Sequence, residues 1–404
     1  MRKILIFTHE YPPYPGGIAR YAGELARAAA EAGHEVHVVA PGYGDKDHPQ
    51  EARPGAVTVH RTRAGEYRGS RLPAMIWEVL HHTRKQEWDF VHAADRPYAT
   101  VLAFVARFKR LDYQATAHGT DVMTLHRSKA TKLLCHGNPY AASNRILCNS
   151  DFTRDLLHRE LPDLPRDKSL VTHLGVNAFW FGEPGADLVR ALRLRLGIKA
   201  EQRIVLTVAR RERRKGHLAV LRSLAGCWQA GIQDLHYVIV GPAGEAEYEA
   251  ELGNEVGRMP FPVTLTGVLA EPELRALYRA AAVFCMPGLP VAERIEGFGL
   301  AYLEAAACSL PSIGTRMGGV SEVIKDRETG FLLPEPDTTL LNTALRSLLT
   351  DELLRQRMGA AAQRWARDFT WERCALLTFG GTATSPAVSA TSDRDTSVGL
   401  IGFG

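Results

Sequence analysis

No two cysteines of this chain stand close enough in sequence to make a metal knuckle or a redox pair. The six, Cys135, Cys148, Cys227, Cys285, Cys308 and Cys374, are far apart, and several lie in apolar runs. Such spacing reads as small buried hydrophobes in a reducing compartment, not as a disulfide framework. Long apolar runs are missing as well. The run Ile4–Phe7 is too short for the core of a signal peptide, and no segment reaches the roughly 18 apolar residues of a spanning helix. The nearest, Ala280–Pro290, is interrupted by proline and glycine. A cytoplasmic protein is expected. Strong charge is also lacking. A net charge of +4 over 404 residues suits anionic small molecules or a membrane surface and is too weak to argue for nucleic acid.

What is present is ordinary globular composition, 45% hydrophobic and 23% charged, at a length that suits two or three domains. Short β-branched runs alternate with helical patterns. Strands are expected at Lys3–Thr8, Glu35–Ala40, Val57–Arg61, Asp89–Ala93, Tyr113–Ala117, Arg145–Cys148 and Leu170–His173. The pattern restarts at Ile204–Val208 and continues through Tyr237–Val240, Val263–Thr266, Val283–Met286 and Pro311–Gly314. Strands separated by helices favour parallel pairing, so the fold class is α/β with two Rossmann-like, doubly wound domains facing a cleft. The expected division is 1–175 for a first Rossmann-like domain, 176–200 for the linker and the start of the second domain, and 201–363 for a second Rossmann-like domain. A further helix is expected at 364–379. The tail 380–404, rich in Ser, Thr, Ala and Gly, reads as disordered.

Two motifs that would redirect the reading are absent. No GxGxxG follows the first strand and no acidic residue ends the second, so a nicotinamide site is not expected. Instead Gly16 and Gly17 precede the first helix, where a helix N-terminus favours an anion; taken alone, they make no more than a tight turn. Arg210 follows the strand Ile204–Val208, and Lys215 comes five residues later. Two cations at a sheet's carboxyl edge suit a diphosphate leaving group. Their neighbours Arg211, Arg213 and Arg214 read as a solvated basic run.

The segment ERIEGFGLAYLEAAA carries the most information. On a single helix, Glu296 and Glu304 would lie about 12 Å apart along the axis. Paired glycosidase carboxylates sit roughly 5–9.5 Å apart across one bond, so this is a poor acid–base pair and better suited to touching two parts of one long ligand. Amides at Phe298, Gly299 and Leu300 can meet phosphate or sugar oxygens at the start of the helix Leu300–Ala307. An exposed glutamate on a capped helix is the plainer alternative, but the almost wholly apolar turn around Glu304 counts against it. His118 follows a strand; from the residues alone, a structural and a ligand-binding role are evenly balanced.

Together these segments resemble the retaining glycosyltransferases of family 4, which have GT-B architecture. The motifs occur in order, from Pro15–Gly17 through His118, Arg210 with Lys215, and the Glu296–Glu304 pair, to GGVSEVI at Gly318–Ile324. The stretch from Cys285 to Ala307 looks most like bacterial mannosyltransferases acting on lipids. The resemblance implies that Arg210 and Lys215 bind the donor diphosphate, Glu296 the donor sugar and Glu304 the ribose. It places Phe298–Leu300 amides at sugar and phosphate, Gly16 and Gly17 near the diphosphate, His118 beside the transferred sugar and Val268 near the base. It implies a nucleotide-diphosphate sugar donor, a glycan or lipid-linked acceptor, retention of configuration by front-face attack, and neither metal nor other cofactor. The absence of a DxD-like motif agrees with that. Two rivals stay open: a nucleotide-sugar epimerase of similar shape, and a non-catalytic nucleotide-sugar binding protein.

Leu72, Met75, Ile76, Val79 and Leu80 form an apolar helical stripe. Packing on the first sheet is its plainer reading. Arg61, Arg63, Arg68, Arg71, Arg84 and Lys85 flank it, with Glu66 and Glu78 the acids in between, so peripheral contact with an anionic membrane is a further expectation.

Overall fold

The computed structural model describes residues 1–44, 56–62, 71–84, 87–291 and 293–380. Two parallel sheets form the framework. The first has the order β3-β2-β1-β4-β5-β6-β7, made of β1 (Lys3–Phe7), β2 (Glu35–Pro41), β3 (Thr58–Thr62), β4 (Phe90–Ala93), β5 (Gln114–Ala117), β6 (Arg145–Cys148) and β7 (Ser169–Val171). The second has the order β10-β9-β8-β11-β12-β13, made of β8 (Arg203–Val208), β9 (Leu235–Val240), β10 (Val263–Gly267), β11 (Val283–Met286), β12 (Ser312–Thr315) and β13 (Gly330–Leu333). In each sheet the strand order reverses beside the first strand, between β1 and β4 and between β8 and β11. Ligands of open parallel sheets bind outside the carboxyl ends at such points.

The strands read as apolar runs because both faces are covered. Ile4 to Phe7 alternate between two clusters: Ile4 and Ile6 join one that continues into the second domain, while Leu5 and Phe7 face one private to the first. The shared cluster passes through Trp180 and Trp371 and ties the domains together behind the cleft. The thirteenth strand, Gly330–Leu333, is not among those expected from sequence. It is short and opens with a glycine, a weak strand signal. The glycine is needed because a Cβ there would lie 2.1 Å from the Ser312 carbonyl oxygen.

The C-terminal helix differs from expectation in its start. One helix runs Glu352–Ala366, the chain turns, and a new one, Trp371–Phe379, begins with Thr370 Oγ1 accepting the Arg373 amide at 3.1 Å. This last helix crosses back and packs against the first helix, Gly17–Glu31. Gln114 donates to the Thr378 carbonyl at 3.1 Å and Arg2 to that of Phe379 at 2.9 Å. The linker lies under it: Val176 donates its amide to Phe369 at 3.0 Å, and a Cβ on Gly175 would overlap the Trp371 backbone. Residues 381–404, most of the expected tail, lie outside the described residues.

The stripe on helix Leu72–His82 faces the first domain. Met75 and Val79 are buried in its core, and Leu72 and Ile76 pack on that core. Leu80 departs from the stripe and is exposed, as is Trp77. Arg63, Glu66, Arg68 and Lys85 lie outside the described residues. No described helix is long and apolar enough to cross a membrane.

Candidate functional site

On the second domain, β8 and β11 deliver the central cluster. After β8 the chain passes Arg210 and makes one tight turn, Arg213–Lys215, before the helix His217–Gln229. Gly216 allows this turn: its φ is +78°, and a Cβ there would lie 2.1 Å from the Pro287 carbonyl oxygen. Lys215 Nζ is thereby brought onto Glu296 Oε2, with Arg214 Nη1 3.5 Å from the same oxygen. Burial works to raise the Glu296 carboxyl pKa, but the Lys215 and Arg214 charges outweigh it and the group is held below its ordinary value. Arg210 is more open, 51% exposed, with Nε 3.6 Å from Glu212.

The basic run is not uniformly solvated. Arg211 is largely buried and pairs with both Glu249 oxygens at 2.9 Å; Arg213 pairs with Glu251 at the surface. Arg214 turns inward beside Glu296, so it belongs with the site.

Glu296 sits in a loop before helix Leu300–Ala307, and its backbone is wedged against Gly318 and Gly319. The Gly319 amide donates to the Glu296 carbonyl at 2.9 Å, and Cβ atoms on Gly318 and Gly319 would lie 2.0 and 2.2 Å from the Glu296 and Gly297 carbonyl oxygens. That close approach is what the glycine pair of GGVSEVI serves. Gly299 caps the helix with φ +101°, and the Phe298 ring is buried against His173 and Phe369. The amides of Phe298, Gly299 and Leu300 have no acceptor among the described residues.

Glu304, one turn into that helix, is buried. Tyr278 donates its hydroxyl to Glu304 Oε2 at 3.2 Å, and Arg20 from the first domain's leading helix donates to Oε1. Burial raises the Glu304 carboxyl pKa, and Arg20 opposes this without overcoming it. Val268 follows β10 and is exposed at the carboxyl edge of the sheet.

The first domain contributes the ends of β1, β4 and β5. Gly16 caps the first helix in extended backbone, and a Cβ on it would lie 2.8 Å from Glu10 Oε2; a Cβ on Gly17 would meet no protein atom within 4 Å. His118 follows β5. Its amide donates to Asp121 at 2.9 Å, its Nε2 donates to the Ala94 carbonyl at 2.8 Å, and its ring stands edge-on to Tyr21. The His118 carbonyl meets the second domain, since a Cβ on Gly297 would lie 1.9 Å from it. Next to it, Thr120 Oγ1 exchanges two hydrogen bonds of 3.1 Å with the Ile295 backbone.

His118 and Gly297 therefore meet across the cleft, as do Arg20 and Glu304. Sequence reasoning missed Arg20, Arg214 and His9. His9 lies between Asp95 (3.0 Å) and Glu10 (3.4 Å) at the end of β1. Burial would lower its pKa, but the two carboxylates lift it to about 10. Asp151, His173 and Glu322 bring metal-capable atoms together at the domain boundary. The Glu322 oxygens are already engaged, accepting from the Asp151 and Phe152 amides at 2.9 and 3.0 Å and lying 2.7 Å from His173 Nε2.

Residues 15–178 match the family described as Glycosyltransferase Family 4, and residues 190–365 the one described as Glycosyl transferases group 1. The chain is 29% identical over 388 residues to a GDP-mannose-dependent alpha-(1-6)-phosphatidylinositol monomannoside mannosyltransferase of Mycolicibacterium smegmatis, covering 91% of this chain and 94% of that protein. It is 28% identical over 406 residues to a D-inositol 3-phosphate glycosyltransferase of Kineococcus radiotolerans, covering 90% of this chain and 89% of the relative. Among solved structures, Anabaena HepE in complex with UDP and glucose superimposes with a TM-score of 0.76 at 18% identity, over 94% of this chain and 98% of that one. A sucrose-phosphate synthase from Thermosynechococcus elongatus gives 0.77 at 23% identity, over 94% and 97%. With one family covering each half of the chain, and two parallel sheets meeting at their carboxyl edges, the chain belongs to the family 4-like glycosyltransferases of GT-B architecture.

Proposed function

We propose that the chain transfers a hexose-type sugar, with retention, from a nucleotide-diphosphate sugar to a glycan or lipid-linked acceptor. The observation that carries this reading is the Lys215–Arg214–Glu296 cluster on the loop that leads to the amides of Phe298, Gly299 and Leu300, with the adjoining Gly297 backbone against the His118 carbonyl of the first domain. Lys215, Arg214 and the more open Arg210 supply positive charge where a diphosphate leaves, and charge placed in advance is worth most where charge grows. Glu296, kept ionised, accepts from sugar hydroxyls. Glu304 accepts from the ribose, and Val268 lies toward the base. Gly17 tolerates a Cβ as far as the protein is concerned, so a demand for glycine there comes from a ligand's approach.

The chemistry proposed is front-face substitution. The bond from the anomeric carbon to the diphosphate oxygen breaks, the acceptor oxygen bonds on the same face, and a donor phosphate oxygen takes the acceptor proton. His118, its ring fixed by Ala94 and Tyr21, lines the sugar. The cations named do the charge neutralisation, so no metal is required. HepE is described with UDP-glucose and the M. smegmatis relative as GDP-mannose-dependent; both support a nucleotide sugar as donor, and the lipid substrate in the latter's name supports a lipid-linked acceptor. Incubating the enzyme with GDP-mannose and UDP-glucose, each with and without a lipid-linked acceptor, tests the reading. Product formation in the presence of a chelator, with the donor's anomeric configuration by NMR, is expected. Inversion, or activity restored only by added Mg²⁺, would overturn it.

The exposed Trp77 and Leu80, with Arg71 and Arg84 at the ends of their helix, support peripheral contact with an anionic membrane. Co-sedimentation with anionic vesicles, lost at high salt and absent with neutral ones, is expected.

A further inference from the structure

Arg20 has no counterpart in the roles derived so far, yet it is the side chain by which the first domain's leading helix reaches the second domain's glutamates. Its guanidinium forks, one nitrogen to Glu304 Oε1 and the other to Glu271 Oε1. It lies over the Trp180 ring, 5.4 Å from the centroid. Trp180 is buried in the linker, and its carbonyl accepts the Cys308 thiol at 3.3 Å, one residue past the Glu304 helix. The fork is thus fixed from below by an aromatic face and from the side by two carboxylates, a geometry suited to arginine and not to lysine.

We propose that Arg20 is a positioning residue for nucleotide binding, presenting the Glu304 carboxylate to the donor ribose from the opposite domain. This rests on the reading of Glu304 as the ribose acceptor. A carboxylate has about four lone-pair positions. Arg20 takes one on Oε1 and the Tyr278 hydroxyl one on Oε2, which leaves acceptor capacity on both oxygens for two ribose hydroxyls. Binding there draws on an ionised carboxylate, because charge-assisted hydrogen bonds are the stronger kind.

The groups that face Glu304 set whether it stays ionised. They are Arg20, with Glu24 behind it, on the first helix, Glu271 and Tyr278 on the helix Glu271–Ala280, and Cys308 after its own helix. Glu24 is engaged by Arg27 and by Asn177 Nδ2 at 3.1 Å. Arg20 is therefore the cation holding down a carboxyl that burial pushes up. Removing it leaves Glu304 protonated to higher pH, so ribose binding should weaken near neutrality and return as pH rises.

The test is calorimetry with GDP and with UDP as probes, from mildly acid to mildly alkaline pH, on wild type, Arg20→Met, Arg20→Lys and Glu304→Gln. Arg20→Met should bind more weakly than wild type near neutrality and should recover toward wild type as pH rises. Arg20→Lys, which keeps the charge and loses the fork, should fall between. Glu304→Gln should bind weakly with no pH dependence from this group. An Arg20→Met profile that overlays wild type, or a loss that high pH does not relieve, overturns the positioning role. Wild-type affinity in Glu304→Gln would instead sink the ribose reading while leaving Arg20 an interdomain ion pair. Matched thermal melts of the variants keep misfolding apart from these outcomes.

Discussion

Lys215 and Arg210 stand at different depths, 12% and 51% exposed, and their loss should read differently. Arg210→Ala should weaken donor binding by about 1.5–3 kcal/mol, the usual range for a hydrogen bond to a charged group. Lys215→Ala should do that and also disturb Glu296. In wild type the depressed Glu296 pKa contributes stability above its ordinary value of 4.5, lost as pH falls through the folded value. Without Lys215 that contribution shrinks, so thermal melts should show acid destabilisation starting at higher pH. Melts that coincide on the acid side would remove the pairing. His9 has the opposite sign. Lifted from 6.5 to about 10, it contributes stability fully below pH 6.5 that is lost as pH rises toward 10. Asp95→Asn keeps a capping side chain for the Tyr98 amide and removes the charge. Its melting temperature should be flatter than wild type across that window. Arg210 and Lys215 could be read as candidates because they follow a strand end, Glu304 because it interrupts an apolar turn, and Glu296 from its spacing to Glu304. Arg20 and His9 could not, because their partners are 284 and 86 residues away and only the folded chain joins them.

At the scale of elements, glycines at two helix starts do different work. Gly319 precedes the short helix Val320–Val323, and its Cβ would strike the Gly297 carbonyl that positions the Glu296 loop. Gly319→Ala should therefore lower the melting temperature, by an overpacking cost of about 1–3 kcal/mol, and weaken donor binding with it. Gly17→Ala has open space around it and lies inside a helix, where alanine is favoured over glycine. Its melting temperature should hold or rise while transfer falls. If Gly17→Ala transfers sugar at the wild-type rate, the first helix start is not at the diphosphate. Both glycine pairs could be read from the sequence as motifs, but which of them serves backbone packing depends on a contact between separate loops. The strands were legible for the same reason that β13 was not. Central strands covered on both faces are apolar runs, while an edge strand opening with Gly330 carries little pattern. The final helix was misplaced at its start because the helical pattern of Glu352–Ala366 runs on into it, and only the turn at 367–370 separates the two.

For the whole molecule, the question is what keeps two domains apposed over a cleft that must admit a donor. Behind the cleft lies the shared apolar cluster through Trp180 and Trp371. Across its mouth the contacts are polar: Arg20 to Glu304, Thr120 to Ile295, Arg127 to Glu293, and Glu322 to the N-terminus of helix Asp151–Glu160. Glu322 has the most to lose. Its carboxylate caps two amides across the boundary and meets His173, and the amide and His173 contacts hold its pKa down against burial. Negative charge at a helix N-terminus is stabilising. Deleting it leaves those partners uncompensated at a cost on the order of 1–3 kcal/mol, and every 1.4 kcal/mol or so is tenfold in the ratio of apposed to separated domains. Glu322→Ala should therefore enlarge the radius of gyration in solution X-ray scattering. It should slow transfer while leaving nucleoside diphosphate affinity close to wild type, since Glu322 touches none of the proposed donor groups. Glu322→Gln, which can still accept from the amides, should fall between. Unchanged scattering and turnover in Glu322→Ala would mean that the apolar cluster alone sets the apposition, and the polar contacts at the mouth merely follow it.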